Sequence, residues 1–236
     1  MNTNSIFSSR KKYLDRSVQK NKHKKAISKI TNEVINMSDI ILEVLDSRFI
    51  EKTRNIEVEK FIKEHGKKII YILNKSDLAD KEAQFSETKG ISLYPYVSIS
   101  CKSGRGVKEL RNRIKIEVKR LKISDKHKKA HIGVVGYPNT GKSSLINILA
   151  RKGSAGVSQQ AGFTKGIQKV KLTEEILLLD SPGIFPLGEN SNTELKDLKK
   201  HADIGARTYD KIKNPLFVVA GIMKENHGLL DSFYNL

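Results

Sequence analysis

Apolar positions along the chain follow two rhythms. Short, nearly unbroken runs recur at residues 39–46 (DIILEVLD), 67–73 (KKIIYIL), 94–100 (YPYVSIS) and 131–136 (HIGVVG), then at 167–172 (IQKVKL) and 175–180 (EILLLD). Runs of this length and density predict strands buried on both faces, the last two paired through a turn at Thr173–Glu174. Between them, apolar residues step by three and four. Ile27, Ile30 and Val34 predict a helix from about Ser17, and EVEKFIKEHG (57–66) predicts one closed by Gly66. Val107, Leu110, Ile114, Val118 and Leu121 predict a long amphipathic helix with a basic outer face. A short polar helix is expected before residue 94, another helix over Lys142 to about Arg151, and further helix towards the stretch 221–236. Strands alternating with helices imply one α/β sheet covered on both faces. Residues 1–16 are polar and aperiodic and are expected to be disordered, and the glycine- and serine-rich stretch 152–166 is expected to be a mobile loop. No internal repeat is visible.

Composition narrows the class. A chain of 236 residues with 38% apolar and 30% charged residues suits one domain of ordinary size with appendages. No apolar run approaches the roughly 20 residues that span a bilayer, and the opening MNTNSIFSSRKKYLDR has no signal-peptide core. The single cysteine, Cys101, rules out an internal disulfide, so a cytoplasmic protein without a membrane partner is expected.

Charge adds a partner. Of the net +18, residues 1–33 hold +7 and residues 105–129 hold +8, leaving +3 for the rest of the chain. Such concentration fits a polyanion, although solvated lysine-rich helix faces would give the same count. With no Trp and 6% aromatics, contacts to the phosphates of folded RNA fit better than base stacking.

The motifs carry the chemistry. GYPNTGKSS (136–144) follows an apolar strand and opens a helix, as a P-loop does. Its glycines let successive N–H groups of Pro138–Ser144 turn towards phosphates at the positive end of the helix, where Asn139, Thr140 and Gly141 sit, though Pro138 itself has no N–H. Lys142 would reach the β- and γ-phosphates, and Ser143 would ligate Mg²⁺, with Ser144 beside it. LLLDSPG delivers Asp180 to a strand end, where it would hold the metal through a water, and the Gly183 N–H would follow the γ-phosphate. Thr164 is the candidate second hydroxyl on Mg²⁺. NKSD supplies Asp77 for the N1–H and 2-amino donors of guanine, Asn74 as a brace and the stem of Lys75 for a ring face. SCK, Ser100–Cys101–Lys102, would place an N–H near guanine O6, and the Cys101 side chain itself reads as a small buried residue.

All the signatures of a GTP-binding site are therefore present, but in the order NKxD, SxK, P-loop, switch I, DxxG. Ligand groups come from loops at the carboxyl ends of strands, so a cut and rejoined chain can still assemble them. The charged connector 122–130 is the expected joint.

The chain here resembles the circularly permuted GTPases of ribosome assembly, the YlqF/YawG type. Asp46, Arg48, Arg54 and Asn55 of LDSR…TRN resemble that family's first strand motif, and GYPNTGKSSLIN, GFTKGIQ and LLDSPGI also match closely. The resemblance spans roughly residues 20–185. It implies a three-layer P-loop GTPase domain with a mostly parallel sheet over 34–190, after a basic extension (1–33) and before a short helical region (191–236). It implies GTP/GDP as ligands, Mg²⁺ as cofactor, ribosomal RNA or the large subunit as partner, and hydrolysis as an assembly checkpoint. A monomer is expected. The resemblance also suggests Asn139 as a K⁺ ligand, with a plain loop-turning role as the alternative. His23 stands where the family carries a histidine suggested to position water, although in this basic segment phosphate contact is the favoured role for it. Ile184 occupies the position where many GTPases carry a water-orienting glutamine, so hydrolysis is expected to be slow until a partner completes the site. Only 53 residues follow Gly183, short of the helical domain usual in the family. Two other readings stay open: an accessory GTPase in tRNA modification or translation, and an RNA-binding module that holds nucleotide without useful turnover.

Overall fold

The computed structural model describes residues 28–80, 82, 88–91, 93–121, 129–151, 167–184, 186, 195–205 and 215–225. Thr164, His23, the proposed loop 152–166, the extension 1–16 and most of the joint 122–130 lie outside these.

Helix α1 (Lys29–Met37) begins where the Ser28 hydroxyl accepts from the Thr31 N–H at 3.2 Å, and ends where Ser38 Oγ donates to the Val34 carbonyl at 2.6 Å. It lies close on the sheet: a Cβ at Gly133 would come within 2.5 Å of Ser38 Oγ and 2.8 Å of Ile41. Strand β1 (Ile40–Asp46) is buried along its whole length, as its dense apolar run predicts, with Glu43 buried within it. A one-turn helix α2 (Ile50–Thr53), with no clear periodic signal, precedes α3 (Ile56–Glu64). Asn55 caps α3 by accepting from the Val58 N–H at 3.1 Å, and Gly66 closes it at φ 66°, the left-handed position foreseen for it. Strand β2 (Lys68–Asn74) follows, then the short β3 (Tyr96–Ser98), α4 (Val107–Arg120), β4 (Ala130–Gly136) and α5 (Lys142–Arg151). Strands β5 (Gln168–Thr173) and β6 (Ile176–Asp180) form the expected hairpin, and α6 (Leu195–Asp203) and α7 (Pro215–Glu225) complete the described elements. β3 is shorter than the seven-residue run, because Pro95 has no N–H for a ladder and the chain beyond Ile99 turns into the SCK loop.

The six strands lie in the order β3-β2-β1-β4-β6-β5, all parallel except β5, which runs antiparallel to β6. From β1 the chain walks outward through β2 to β3. From β4 it crosses the other way to the edge strand β5 and returns through the hairpin to β6, beside β4. The two middle strands, β1 and β4, therefore mark the switch point, and the crevice beyond their carboxyl ends is where an α/β sheet takes its ligand.

Alternate residues of β1 feed two cores, which gives the three layers. Leu42 and Val44 join Ile132, Val134, Leu110 and Ile114 of α4, and Leu145 and Leu149 of α5. Ile41 and Leu45 join Val135, Ile35 of α1, and Val58, Phe61 and Ile62 of α3. Each such side chain, fully withdrawn from water, contributes about 1.5–3 kcal/mol. A third, small cluster of Tyr137, Ile204 and Phe49 seats α6 against the residue that follows β4.

Candidate functional site

At the switch point an open cleft of about 1080 Å³ is lined from both halves of the chain. Asn74, Lys75, Asp77, Cys101 and Lys102 line one end, and Pro138, Asn139, Gly141 to Ser144 and Asp180 to Gly183 line the other. Residues separated by more than sixty positions in the sequence thus form one site.

The loop after β4 is shaped by its backbone. Gly136 adopts φ 149°, and a Cβ there would sit 2.4 Å from the Val44 carbonyl. Asn139 adopts φ 61°, and its side-chain amide donates to the Gly205 carbonyl beyond α6. The left-handed φ suits a residue that turns the loop, and the amide ties that turn to the end of α6. Gly141, at φ 99°, lies so close to Asn74 that a Cβ would approach Nδ2 to 2.2 Å. Only glycine permits that approach. Thr140 Oγ1 is turned back onto the Tyr137 carbonyl at 2.9 Å, so its side chain braces the loop.

Asn74 ties the halves together. Its Nδ2 donates to the Thr140 carbonyl at 2.8 Å, and its Oδ1 accepts from the Cys101 N–H at 3.2 Å. One buried amide thus joins the ends of β2 and β3 to the loop after β4, with donor and acceptor both satisfied.

Asp46, at the end of β1, anchors the next residue. Lys75 takes φ 62° and donates Nζ to Asp46 Oδ2 at 2.8 Å, while Arg48 binds both carboxylate oxygens at 2.9 and 2.7 Å. Burial pushes the Asp46 carboxyl up, but the hydrogen bonds from Arg48 and Lys75 outweigh it and the pKa is lowered. Asp77 is exposed, and the Ser100 hydroxyl is the main reason its pKa is lowered. A charged, acceptor-only carboxylate facing the cleft is what paired N–H donors of a purine edge require. Ser100 also accepts from the Ser103 N–H at 3.1 Å, and Arg105 binds the Ser76 carbonyl at 2.8 Å, clasping the two rim loops. Burial pushes the Cys101 thiol up to about 11, which keeps it inert.

At the other end the charges are less settled. Lys142 is buried, and its Nζ donates to the Gly136 and Tyr137 carbonyls, at 3.1 and 2.9 Å. Burial lowers its pKa to about 8, against the opposing pull of Asp180. Burial likewise raises Asp180, and Asp180 Oδ1 is buried with no hydrogen-bond partner among the described residues. Ser143 and Asp180 line the same end of the cleft, a hydroxyl and a free carboxylate oxygen that suit a hard divalent cation such as Mg²⁺. Gly183 packs on Pro138, where a Cβ would meet Cα and Cγ at 3.0 Å and Lys142 Nζ at 3.2 Å. Ile184 donates its N–H to the Gly136 carbonyl at 3.1 Å and buries its side chain in the core under α3. It staples the DSPG turn to the phosphate-loop strand and cannot touch water in the cleft.

Two features escaped the motif reading. Gln168 lines the cleft beside Asp180, a position that the alternation of IQKVKL could have exposed. Arg54 and Asn55 do not line the cleft. Arg54 pairs with both oxygens of Glu59 at 2.7 Å, Tyr71 donates to Glu59 at 3.0 Å, and the Asn55 N–H donates to Glu43 at 3.2 Å. This buried network holds α3 to the sheet.

The comparisons with known proteins agree with this geometry. The family model of the 50S ribosome-binding GTPase matches residues 131–230, beginning at β4, the strand that leads into the phosphate loop. An uncharacterised GTP-binding protein of Methanocaldococcus jannaschii is 42% identical over 190 residues, covering 80% of this chain and 48% of the relative. GTPase grn1 of Schizosaccharomyces pombe is 32% identical over 230 residues, covering 88% and 48%. Nuclear GTP-binding protein NUG1 of Saccharomyces cerevisiae is 34% identical over 224 residues, covering 86% and 43%. The chain spans about half the length of the curated relatives it matches. Among solved structures, GNP-bound YlqF from T. maritima superposes with a TM-score of 0.54 at 22% identity, covering 84% of this chain and 73% of that one, and establishes the fold.

Proposed function

We propose that the chain is a circularly permuted GTPase whose physiological task is to bind and slowly hydrolyse GTP as a switch in large-subunit ribosome assembly. The observation that carries nucleotide binding is the Asn74 bridge, which fixes the base-reading rim and the phosphate loop as one cleft. Asp77 reads the guanine edge, Lys75 and Lys102 flank the ring, and an N–H of the Ser100–Lys102 loop beside Cys101 faces O6, the Cys101 N–H itself being held by Asn74. The N–H groups of Asn139 to Ser144 wrap the phosphates, and Lys142 leaves its own carbonyls for the β- and γ-oxygens. Ser143 would hold Mg²⁺, with Asp180 acting through a water and Thr164 as a further ligand, and the metal would supply positive charge to the phosphates. With Ile184 buried, no side chain from that position orients the attacking water, so turnover waits for a partner.

Folded RNA is the partner that the surface favours. Lys108, Lys115 and Lys119 are exposed along one stripe of α4, preceded by the exposed Arg105. Glu117, one of the helix's two acids, is withdrawn beneath it in ion pairs with Lys68 and Arg120. The names of the matched family and relatives, a 50S ribosome-binding GTPase and a nuclear GTP-binding protein, point the same way. A monomer acting in the cytoplasm completes the proposal. Mixing the protein with purified large subunits or their precursors should raise GTP turnover at least tenfold. Unchanged turnover across both, or crosslinking that recovers tRNA in place of ribosomal RNA, would refute the ribosomal assignment.

A further inference from the structure

Strand β5 breaks its own packing pattern at one position. Val170 and Leu172 are buried in the core that also holds Leu145, Ile146 and Leu149 of α5. With a period of two, Gln168 continues that same face one step further, yet it is polar and exposed. Because β5 runs antiparallel to β6, Gln168 pairs in register with Asp180, at the end of the sheet that carries the cleft. It lines that cleft together with Ser143 at the start of α5. A stripe that packs on the body of α5 thus ends in a long amide in the cleft that Ser143, in the first turn of that helix, also lines. Asp180 Oδ1, in the register-paired residue, is buried without a partner among the described residues. A glutamine amide both donates and accepts, so it can hold a carboxylate and a water at once.

We propose that Gln168 is a positioning residue for the metal: its amide and the Asp180 carboxylate together orient the water shell of the Mg²⁺ that Ser143 ligates. The proposal rests on reading the cleft as a GTP site. Outer partners of metal ligands commonly control affinity by about tenfold or more.

The test follows dissociation of a fluorescent GDP analogue from the whole chain as Mg²⁺ is titrated, in wild type, Gln168→Ala and Gln168→Leu. Gln168→Leu extends the apolar stripe and keeps β propensity, so folding is retained even where Ala loosens the strand. Both variants should need about tenfold more Mg²⁺ to slow release, while release in EDTA and the melting temperature stay at the wild-type values. Mg²⁺ midpoints within twofold of wild type would overturn the role of Gln168, as would faster release in EDTA, which would mark a merely structural part. If the wild type itself fails to hold the GDP analogue in EDTA and in Mg²⁺, the GTP reading falls and takes this inference with it.

Discussion

The two ends of the cleft are prepared to different degrees. At the base-reading end the key polar groups are already held: Asp46 by Arg48 and Lys75, Asp77 by the Ser100 hydroxyl, and Asn74 by the Thr140 carbonyl and the Cys101 N–H. At the phosphate end Lys142 rests on two carbonyls of its own loop, and Asp180 keeps an oxygen without a partner among the described residues. The first end is built to select, since a purine that matches finds its partners in place and one that does not leaves them unpaired. The second end is built to change, because ligand and metal offer Lys142 and Asp180 better partners than they now have.

The largest way to break this contrast is to remove the cation. Lys142→Ala should lower kcat/KM for GTP by about a thousandfold, measured in steady-state turnover, because it removes the charge aimed at the transferred phosphoryl group. The same lysine gives the contrast a pH signature. Free Lys142 loses its proton near pH 8, whereas phosphates hold the protonated form, so binding takes up a proton once the free amine is neutral. GTP affinity should therefore be flat below pH 8 and fall by up to about tenfold per unit above it, as equilibrium titrations at pH 7 to 9 would show. Asp77→Asn should weaken GTP about a hundredfold and improve binding of xanthosine triphosphate, because the amide presents a donor where guanine also donates. Competition assays with both nucleotides and with ATP would read this exchange.

A smaller effect sharpens the selecting end. Asp46→Asn loosens Lys75 and Arg48 without touching nucleotide, and should weaken GTP and GDP alike by about tenfold in binding titrations while sparing kcat. The smallest effect on nucleotide is expected outside the cleft. Burial and the Glu59 carboxylate push Glu43 up to about 8, so the folded chain holds a proton that the unfolded chain has lost above pH 4.5. Stability from this group is thus full at acid pH and declines as pH rises towards 8. Glu43→Gln should remove that decline in melting temperature measured from pH 5 to 9 and leave GTP affinity within about twofold.

How much of this was legible in the sequence depended on whether local pattern or long-range contact decided the feature. The buried strands read directly, because parallel strands covered on both faces need nearly continuous apolar runs such as Ile69–Leu73, or Ile40–Leu45 with only Glu43 interrupting it. Gly66 read as a helix stop for a local steric reason. The phosphate loop and the base-reader read as motifs whose residue types follow from the ligand's chemistry. Asn74 read as a brace, but its partner Thr140 did not appear, since the bond spans 66 positions and depends on β1 lying between β2 and β4. Asp46, Arg54 and Asn55 were noticed together, yet only the structure separates Asp46, which holds Lys75 in the cleft, from the other two, which serve α3. α2 gave no signal, because a single turn has no period to detect.

The claim beneath all of this is that two halves in reversed order build one nucleotide site. Its most direct test is a crystal structure with Mg²⁺ and a non-hydrolysable GTP analogue. The account predicts the guanine edge within hydrogen-bond distance of Asp77, and in the same molecule the γ-phosphate on Lys142, with Nζ withdrawn from the Gly136 and Tyr137 carbonyls. A phosphate tail in the loop with its purine turned away from Asn74, Asp77 and Cys101 would contradict it.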